Sequence, residues 1–332
     1  MKHLKTFLLP VFAWMITNAS HAQDPHFSQY FATPLTLNPA LTASMDGAFR
    51  VATHMRQQWP APGSPYTTAA GSFEHQLFRS RIPENDRAGI GVMFMEDESL
   101  SGGLKTTYAS LSVAYQKSLD EFQRIGVGFQ GTYGNRRADL SRLSFHNQFE
   151  SDRFNTSLPS GEPVFQPMPA TMGLNAGLLY HYEDINRKVF AGASLYHMNR
   201  PRISMMNDSL NRIPTRATVH FGTMFLYGSN LRFTFHGCWQ LQGGAHEASV
   251  GGAVGYDLGE TTTIFAGVWS RINESIYPYV SCVLGSMQVA MTYDFTISRL
   301  YTSTPRYASI ELSFIYSMRD DRFERRAMPW YY

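Results

Sequence analysis

Cysteine is nearly absent, with Cys238 and Cys282 the only two in 332 residues. They lie in separate alternating stretches and, on the parity described below, point to opposite faces, so a disulfide framework is not expected. No Cys/His spacing resembles a zinc site, and neither a metal nor a cofactor is expected. Charge is also sparse: Asp, Glu, Lys and Arg make up 16% of the chain, against roughly 25% in soluble globular domains. Something other than water must face much of this surface. The net charge is only +2 and the basic residues are scattered, which argues against nucleic acid as a partner. Beyond the first residues no window approaches eighteen apolar residues in a row, so no membrane-crossing helix is expected. The eleven histidines are dispersed, and no Ser, His and acidic set has a signature spacing. Gly126 to Gly131 spells G-x-G-x-x-G, but that chemistry needs a strand-to-helix turn, and these residues lie inside an alternating stretch. Catalysis is therefore not expected.

What the chain does have begins at its start. Lys2 and Lys5 precede an apolar run from Phe7 to Thr17, and Ser20-His21-Ala22 offers small residues for cleavage. Residues 1–22 thus have the order of a secretory signal peptide, and the run is too short for the roughly 20 residues a spanning helix needs. From there on the dominant signal is a period of two. Between Leu231 and Leu241 the odd positions are Leu231, Phe233, Phe235, Gly237, Trp239 and Leu241, and the even ones Arg232, Thr234, His236, Cys238 and Gln240. Such alternation, greasy on one side and polar on the other, belongs to strands and not to helices.

The pattern predicts strands near 47–57, 66–78, 86–96, 104–117, 122–134, 171–183, 187–197, 214–227, 230–242, 246–257, 261–270, 277–284, 287–294 and 307–316. Most have the nine to eleven residues of a tilted strand crossing a bilayer. One alternate set of connections (79–85, 118–121, 184–186, 228–229, 258–260, 285–286) is short, and the other holds every long loop, including 135–170 and 198–213. That asymmetry predicts an all-β outer-membrane barrel of about fourteen antiparallel strands over residues 47–316, with short turns periplasmic and long loops extracellular. Both ends, including a tail over 317–332, would then be periplasmic. An open edge in lipid would leave N–H and C=O groups unpaired at several kcal/mol each on a rough scale, so the sheet must close. Arg50, Arg56, Glu74, His220, Arg232, His236, Asp294 and Glu311 share the polar parity and are expected in the lumen, with Cys238, while Cys282 faces lipid. Tyrosines near strand ends, Tyr66, Tyr108, Tyr115, Tyr133, Tyr180, Tyr182, Tyr227, Tyr256, Tyr277, Tyr293 and Tyr316, fit interfacial girdles.

After the cleavage site come Asp24, Pro25, Phe27, Ser28, Gln29 and Tyr30, then Leu37, Asn38, Pro39, Ala40 and Leu41. In these residues the chain resembles the PorP/SprF family of type IX secretion membrane proteins. Gln58-Trp59-Pro60, Tyr66 to Phe73, Gly89 to Val92, Arg124 to Gly128 and Ile310 to Phe314 extend the likeness, whereas the tail after Tyr316 departs from it. The resemblance implies a fourteen-stranded barrel in the outer membrane of a Bacteroidota-type bacterium. It also implies partnership with the type IX secretion machinery, or with a type IX-secreted surface protein, and a link to gliding motility. On residue physics alone a diffusion porin or small-solute transporter stays open, because a polar lumen face serves it equally well.

Residues 23–46 keep neither period. Phe27, Tyr30, Phe31, Leu35, Leu37 and Leu41 are irregularly spaced, and Pro34 and Pro39 break either element. An aromatic-rich irregular segment must bury its apolar groups, so a plug or cap at the periplasmic mouth is expected, ahead of a docking strand. The polar loop 135–170, with Pro159, Pro163, Pro167 and Pro169 near its end, is long enough to suggest a surface grip for an exported partner.

Overall fold

The computed structural model describes residues 24–59, 65–83, 85–139, 142–150, 152–155, 157–161, 169–203, 211–297 and 309–318. The expected signal peptide over 1–22, Gln23, Pro60, Pro163, Pro167 and the tail from 319 on lie outside these residues.

Five strands come first: β1 (Phe49–Gln58), β2 (Tyr66–Leu77), β3 (Arg87–Ser99), β4 (Leu104–Ser118) and β5 (Gln123–Ala138). Two short strands, β6 (Phe149–Glu150) and β7 (Arg153–Phe154), pair only with each other in the following loop. Nine more complete the chain: β8 (Thr171–Glu183), β9 (Arg187–Tyr196), β10 (Arg216–Tyr227), β11 (Leu231–Gln242), β12 (Ala245–Asp257), β13 (Thr262–Arg271), β14 (Ser275–Leu284), β15 (Met287–Thr296) and β16 (Ser309–Ser317). All except β6 and β7 form one closed antiparallel barrel of 14 strands in chain order. The seam joins β1 to β16 through a register running from Arg50 opposite Ser317 to Gln58 opposite Ser309. Closure pairs the ladder groups that an open edge would leave bare.

Alternation sets the two faces. In β4 the residues Thr106, Tyr108, Ser110, Ser112, Ala114 and Gln116 turn inward, and Leu111, Val113 and Tyr115 outward. The outward face carries Phe94, Phe129, Leu174, Phe221, Trp239, Val268, Val280 and Leu312, all exposed. So much bare apolar surface around a closed wall is what a lipid environment requires. No helix among the described residues is long and apolar enough to cross a membrane. Cys238 faces the lumen, Cys282 the outside, and both thiols are free.

The connections separate into a short-turn rim (184–186, 228–230, 258–261, 285–286) and a long-loop rim that includes 139–170 and 197–215. Even the long-loop rim has one tight hairpin, where Gly243 and Gly244 adopt φ of 59° and 86°. Two-residue hairpins whose twist matches the strands need this left-handed geometry.

Several expectations need correction. Tyr108 and Tyr277 are not girdle residues: they are 8% and 0% exposed and point into the lumen. Strand-end position misled there, because their parity matches Ser110 and Ser275. The segment expected as a plug or cap at the short-turn mouth lies inside the barrel and, unlike that expectation, reaches the opposite mouth. Asp24 meets His197, Arg216 and Gln242 at the long-loop rim, whereas Asp46 meets Arg87 and Lys188 at the short-turn rim. The described N-terminal end and Met318, beside Phe49 at the short-turn rim, therefore lie at opposite mouths and not at one. The physical reason is that the segment's donors and charges find their acceptors and counter-charges at different heights on the wall.

Candidate functional site, a segment threaded through the barrel

Residues 24–48 form a strap across the full depth of the lumen, built from turns and short helical pieces at Tyr30–Ala32, Pro34–Leu37 and Pro39–Leu41. Such pieces leave many backbone groups without partners of their own, so the wall must supply them. It does so from both sides, with Gln116, Gln130, Ser194, Tyr196, Arg216 and Gln242 on one and β1 with its two neighbours on the other. Arg50 lies opposite Glu74 of β2, and Arg56 opposite Glu311 of β16. Each carboxylate, held by its arginine, accepts hydrogen bonds from strap backbone. Glu74 accepts from the Ala43 N–H at 2.9 Å and from Arg50 at 2.9 and 2.8 Å. Glu311 accepts from the Ser28 and Gln29 N–H groups at 2.7 and 2.9 Å, with His54 at 3.1 Å and Arg56 Nε at 3.2 Å. All four charged residues are at most 4% exposed. Buried charges are tolerated only when paired and hydrogen-bonded, and these are both.

The two ends of the strap are clasped ionically. At the long-loop mouth the Asp24 carboxylate is 2.9 Å from His197 Nε2 and 3.4 Å from Arg216, while its N–H donates to Gln242 Oε1. Nearby, Ser28 Oγ donates to Asp294 Oδ2 and accepts from Arg271 Nη2. At the other mouth Asp46 lies 2.8 Å from Arg87 and 3.2 Å from Lys188. Lys188 also meets Glu183 at 2.8 Å, which Arg124 meets at 2.9 Å. Burial would raise both aspartates, but His197 and Arg216 outweigh it at Asp24, and Lys188 and Arg87 at Asp46. Both carboxyls are held far below the usual carboxylate range. A lowered folded value means the contribution is complete above the unfolded value, about 3.9 for Asp, and declines as pH falls below it. The strap is therefore expected to stay seated from neutrality down to about pH 4. Planar-bilayer recordings over an acid series check this, with conductance that opens near pH 6 counting against ionic clasping by these aspartates.

Between the clasps the strap is greasy. Phe31 contacts Trp269, Tyr279 and His236 with ring centroids 5.2 to 5.5 Å apart, and Tyr30 packs edge-on against Phe31. Phe27 stacks on His54 at 4.1 Å and joins Ala70, Met95 and Tyr108. Asn38 acts as a polar pin: its Nδ2 donates to Leu178 O and Ala193 O and lies 3.0 Å from His220 Nε2, while Oδ1 accepts from Ala40 N–H. Leu37 O accepts from Ser194 Oγ, and Ala40 O from Gln116 Nε2.

The wall is hollowed to fit. A Cβ on Gly128 would come within 2.3 Å of Pro39 C, one on Gly177 within 1.8 Å of Asn38 Oδ1, and one on Gly89 within 2.1 Å of Ala43 Cβ. Gly128 is one of the glycines of the dinucleotide-like string, and its role is to admit Pro39 and Ala40.

Of the family-motif residues, Asp24, Phe27, Ser28, Gln29, Tyr30, Leu37, Asn38, Pro39 and Ala40 all make these contacts, and Pro25 lies half-buried at the long-loop mouth between Asp24 and His26. Arg232 stands apart from the strap, paired with Asp257 at 2.8 and 2.9 Å. His54, Lys188, Arg216 and Arg271 were not singled out from sequence, although each lies on the inward parity of its strand.

Residues 19–316 match a family described as type IX secretion system membrane protein PorP/SprF. The chain belongs to this family. Among solved structures, this PorP/SprF barrel is similar to the Pseudomonas putida toluene transporter TodX, at 9% identity and a TM-score of 0.52, over 90% of this chain and 96% of that one. It is also similar to the Ralstonia pickettii toluene transporter TbuX, at 11% identity and a TM-score of 0.50, over 92% and 97% of the two chains. A third, the CymD monoaromatic hydrocarbon channel, gives 9% identity and a TM-score of 0.50, over 90% and 95%. At such identities the likeness shows the fold alone, that of outer-membrane barrels. No curated protein matches the chain.

Proposed function

We propose that this PorP/SprF protein is a non-enzymatic outer-membrane partner of type IX secretion that holds or passes on exported proteins at the cell surface. Its long loops face outward and its short turns face the periplasm. The observation that carries this reading is the strap: a lumen filled by the chain's own residues leaves no wide aqueous path, so the working surfaces are the rims. The larger rim bears the 139–170 loop and the 197–215 loop, whose Arg200, Arg202 and Arg212 lie close together through a bridge between Arg202 and Arg212. A general diffusion porin is the competing reading.

Deleting the gene is expected to remove one or a few exported proteins from the cell surface, read by surface proteomics, while uptake of small solutes stays near normal. Replacing Phe27, Tyr30 and Phe31 by Ala should damage display more than trimming the tail beyond Met318. Phe27, Tyr30 and Phe31 are all buried, and burial of aromatic side chains contributes roughly 1.5–3 kcal/mol each. Normal surface proteins together with impaired solute uptake in the deletion strain would sink the proposal and favour the porin.

A further inference from the structure

One corner of the long-loop rim concentrates positive charge without neutralising it. Arg202 and Arg212 lie directly opposite each other in a bridge beyond the barrel, and Arg212 Nη1 donates to Arg200 O. Like charges so placed repel. All three arginines are exposed. The ion pairs of this corner join Asp24 to His197 and Arg216, and among the described residues Arg200, Arg202 and Arg212 meet no carboxylate. His197 and Arg200 also hold left-handed φ values of 56° and 46°, which residues with a Cβ adopt only at a cost.

The arrangement is nevertheless fixed. Ile203 N–H donates to Asn211 O and Ile213 N–H to Pro201 O, both at 2.9 Å, which ties the two arms of the loop into a ribbon. The foot of the ribbon continues the barrel wall. Met198 N–H donates to Leu174 O, and the Asn199 side chain joins Leu174 N–H and Met172 O of β8. Just below the arginines the outer face is greasy, with Met172, Leu174, Leu195 and Met198 all exposed. Tyr133 of β5, opposite Met172, and Trp239 near the long-loop end of β11 are exposed on the same outer face. Outward tyrosine and tryptophan mark the level of the lipid headgroups. The arginines therefore stand at the upper border of the apolar band.

We infer that Arg200, Arg202 and Arg212 bind the phosphates of a membrane lipid whose acyl chains lie on the apolar wall beneath them. A guanidinium fork engages two phosphate oxygens at once, and the added negative charge relieves the repulsion across the bridge. An acidic protein segment would use the arginines and leave the apolar wall below them idle, whereas a lipid uses both. With the orientation proposed above, on which the choice of leaflet rests, the ligand is the phosphorylated glycolipid of the outer leaflet.

The test uses the full-length protein purified in detergent, with bisphosphorylated lipid A as probe and bound lipid counted by native mass spectrometry. A triple variant, Arg200→Gln, Arg202→Gln and Arg212→Gln, is expected to bind about tenfold more weakly, the scale of a few exposed charge pairs. A second triple, Arg81→Gln, Lys117→Gln and Arg187→Gln, removes the same charge at the short-turn rim and should match the wild type. All the positions changed are exposed, and heat-modifiable mobility confirms that both variants fold. Equal binding by the first triple and the wild type overturns the inference. So does equal binding of lipid A stripped of its phosphates. Displacement of lipid A by a tetraglutamate peptide would make the arginines a site for acidic protein segments, and displacement by inorganic phosphate at the same concentration a site for free phosphate. Either result overturns the lipid assignment. In cells, Met198→p-benzoylphenylalanine is expected to crosslink to glycolipid. Crosslinks to phospholipid alone would place this rim in the inner leaflet and overturn the choice of lipid together with the orientation. A deletion strain with normal surface proteins would defeat the proposed secretion role, and the lipid measurements would still decide the site by themselves.

Discussion

Replacing Glu311 by Ala is expected to lower the stability of the folded barrel by about 3–5 kcal/mol. The loss should appear as a fall in the temperature at which the compact gel band converts to the unfolded one. Glu311 is 0% exposed and is shared by the Ser28 and Gln29 N–H groups, His54 and Arg56. Truncation leaves a buried guanidinium without its nearest carboxylate and two strap N–H groups without acceptors, and each unsatisfied group costs roughly 1–3 kcal/mol. Asp294 lies 4.0 Å from Arg56 Nη2, too far to take over the lost hydrogen bonds unmoved. Glu311→Gln keeps one oxygen acceptor and should fall between the wild type and Ala. A double change, Arg56→Met with Glu311→Leu, removes both charges and should cost less than the sum of the two single changes, because neither leaves an unpaired ion. Equal stability of Glu311→Ala and wild type would mean that the strap is held by its apolar contacts alone.

The barrel wall was open to reading from the sequence because its rule is local. A residue's face follows from its parity within a strand, so Arg50, Arg56, Glu74 and Glu311 could be assigned to the polar face without any knowledge of register. Strand existence and the loop asymmetry are local in the same sense. Which charges meet is another matter. Arg56 and Glu311 are 255 positions apart and face each other only because the barrel closes between its first and last strands. Parity gives the face of a residue and says nothing of its height, and the height of Glu311 is what draws Ser28 toward the long-loop end. The direction of the strap was therefore hidden, and its placement at the short-turn mouth followed only from the export route of the N-terminus. Tyr108 and Tyr277 show parity outranking the general affinity of tyrosine for interfaces: their inward parity is local information, and the lumen they enter also holds Phe31 and Trp269.

The wall glycines connect this architecture to the seating of the strap. Inward positions on a barrel strand are ordinarily filled by side chains that occupy the lumen. Here Gly89, Gly128, Gly177 and Gly192 leave it to the strap, and a Cβ at any of them would collide with a strap atom, or for Gly192 first with His220 beside Asn38. Glycine within a strand weakens it and gives no packing, so such positions make sense where another backbone comes close. The shape of the wall and the course of residues 35 to 43 are thus two parts of one fit. In the absence of the strap the same wall would enclose a wetter and wider path.

Replacing Gly128 by Leu should turn the closed barrel into one with steady conductance in planar bilayers. The new Cβ would lie 2.3 Å from Pro39 C and 2.4 Å from Ala40 N, both backbone atoms, so no side-chain rotation relieves the clash. Either the wall or the strap must move. Gly128 is in β5, which is laddered on both sides, to β4 through Ala114 and to β8 through Gly177, so wall displacement breaks pairing on two edges. The strap is the weaker member there, held near Pro39 by two hydrogen bonds from Asn38 and one each from Gln116 and Ser194, each worth about 0.5–1.5 kcal/mol net. Overpacking typically costs 1–3 kcal/mol and occasionally more, on the order of what those bonds supply. The middle of the strap is then expected to lift from the wall while the Asp24 and Asp46 clasps still hold its ends, giving an ohmic path through a barrel that keeps its heat-modifiable mobility. Gly131→Leu is the matched control: the same change in the same strand, at an outward position with nothing within 4 Å of the added Cβ. It should stay closed. A silent Gly128→Leu barrel with wild-type thermal behaviour would show that residues 38 to 40 do not seal the lumen in the way their contacts imply.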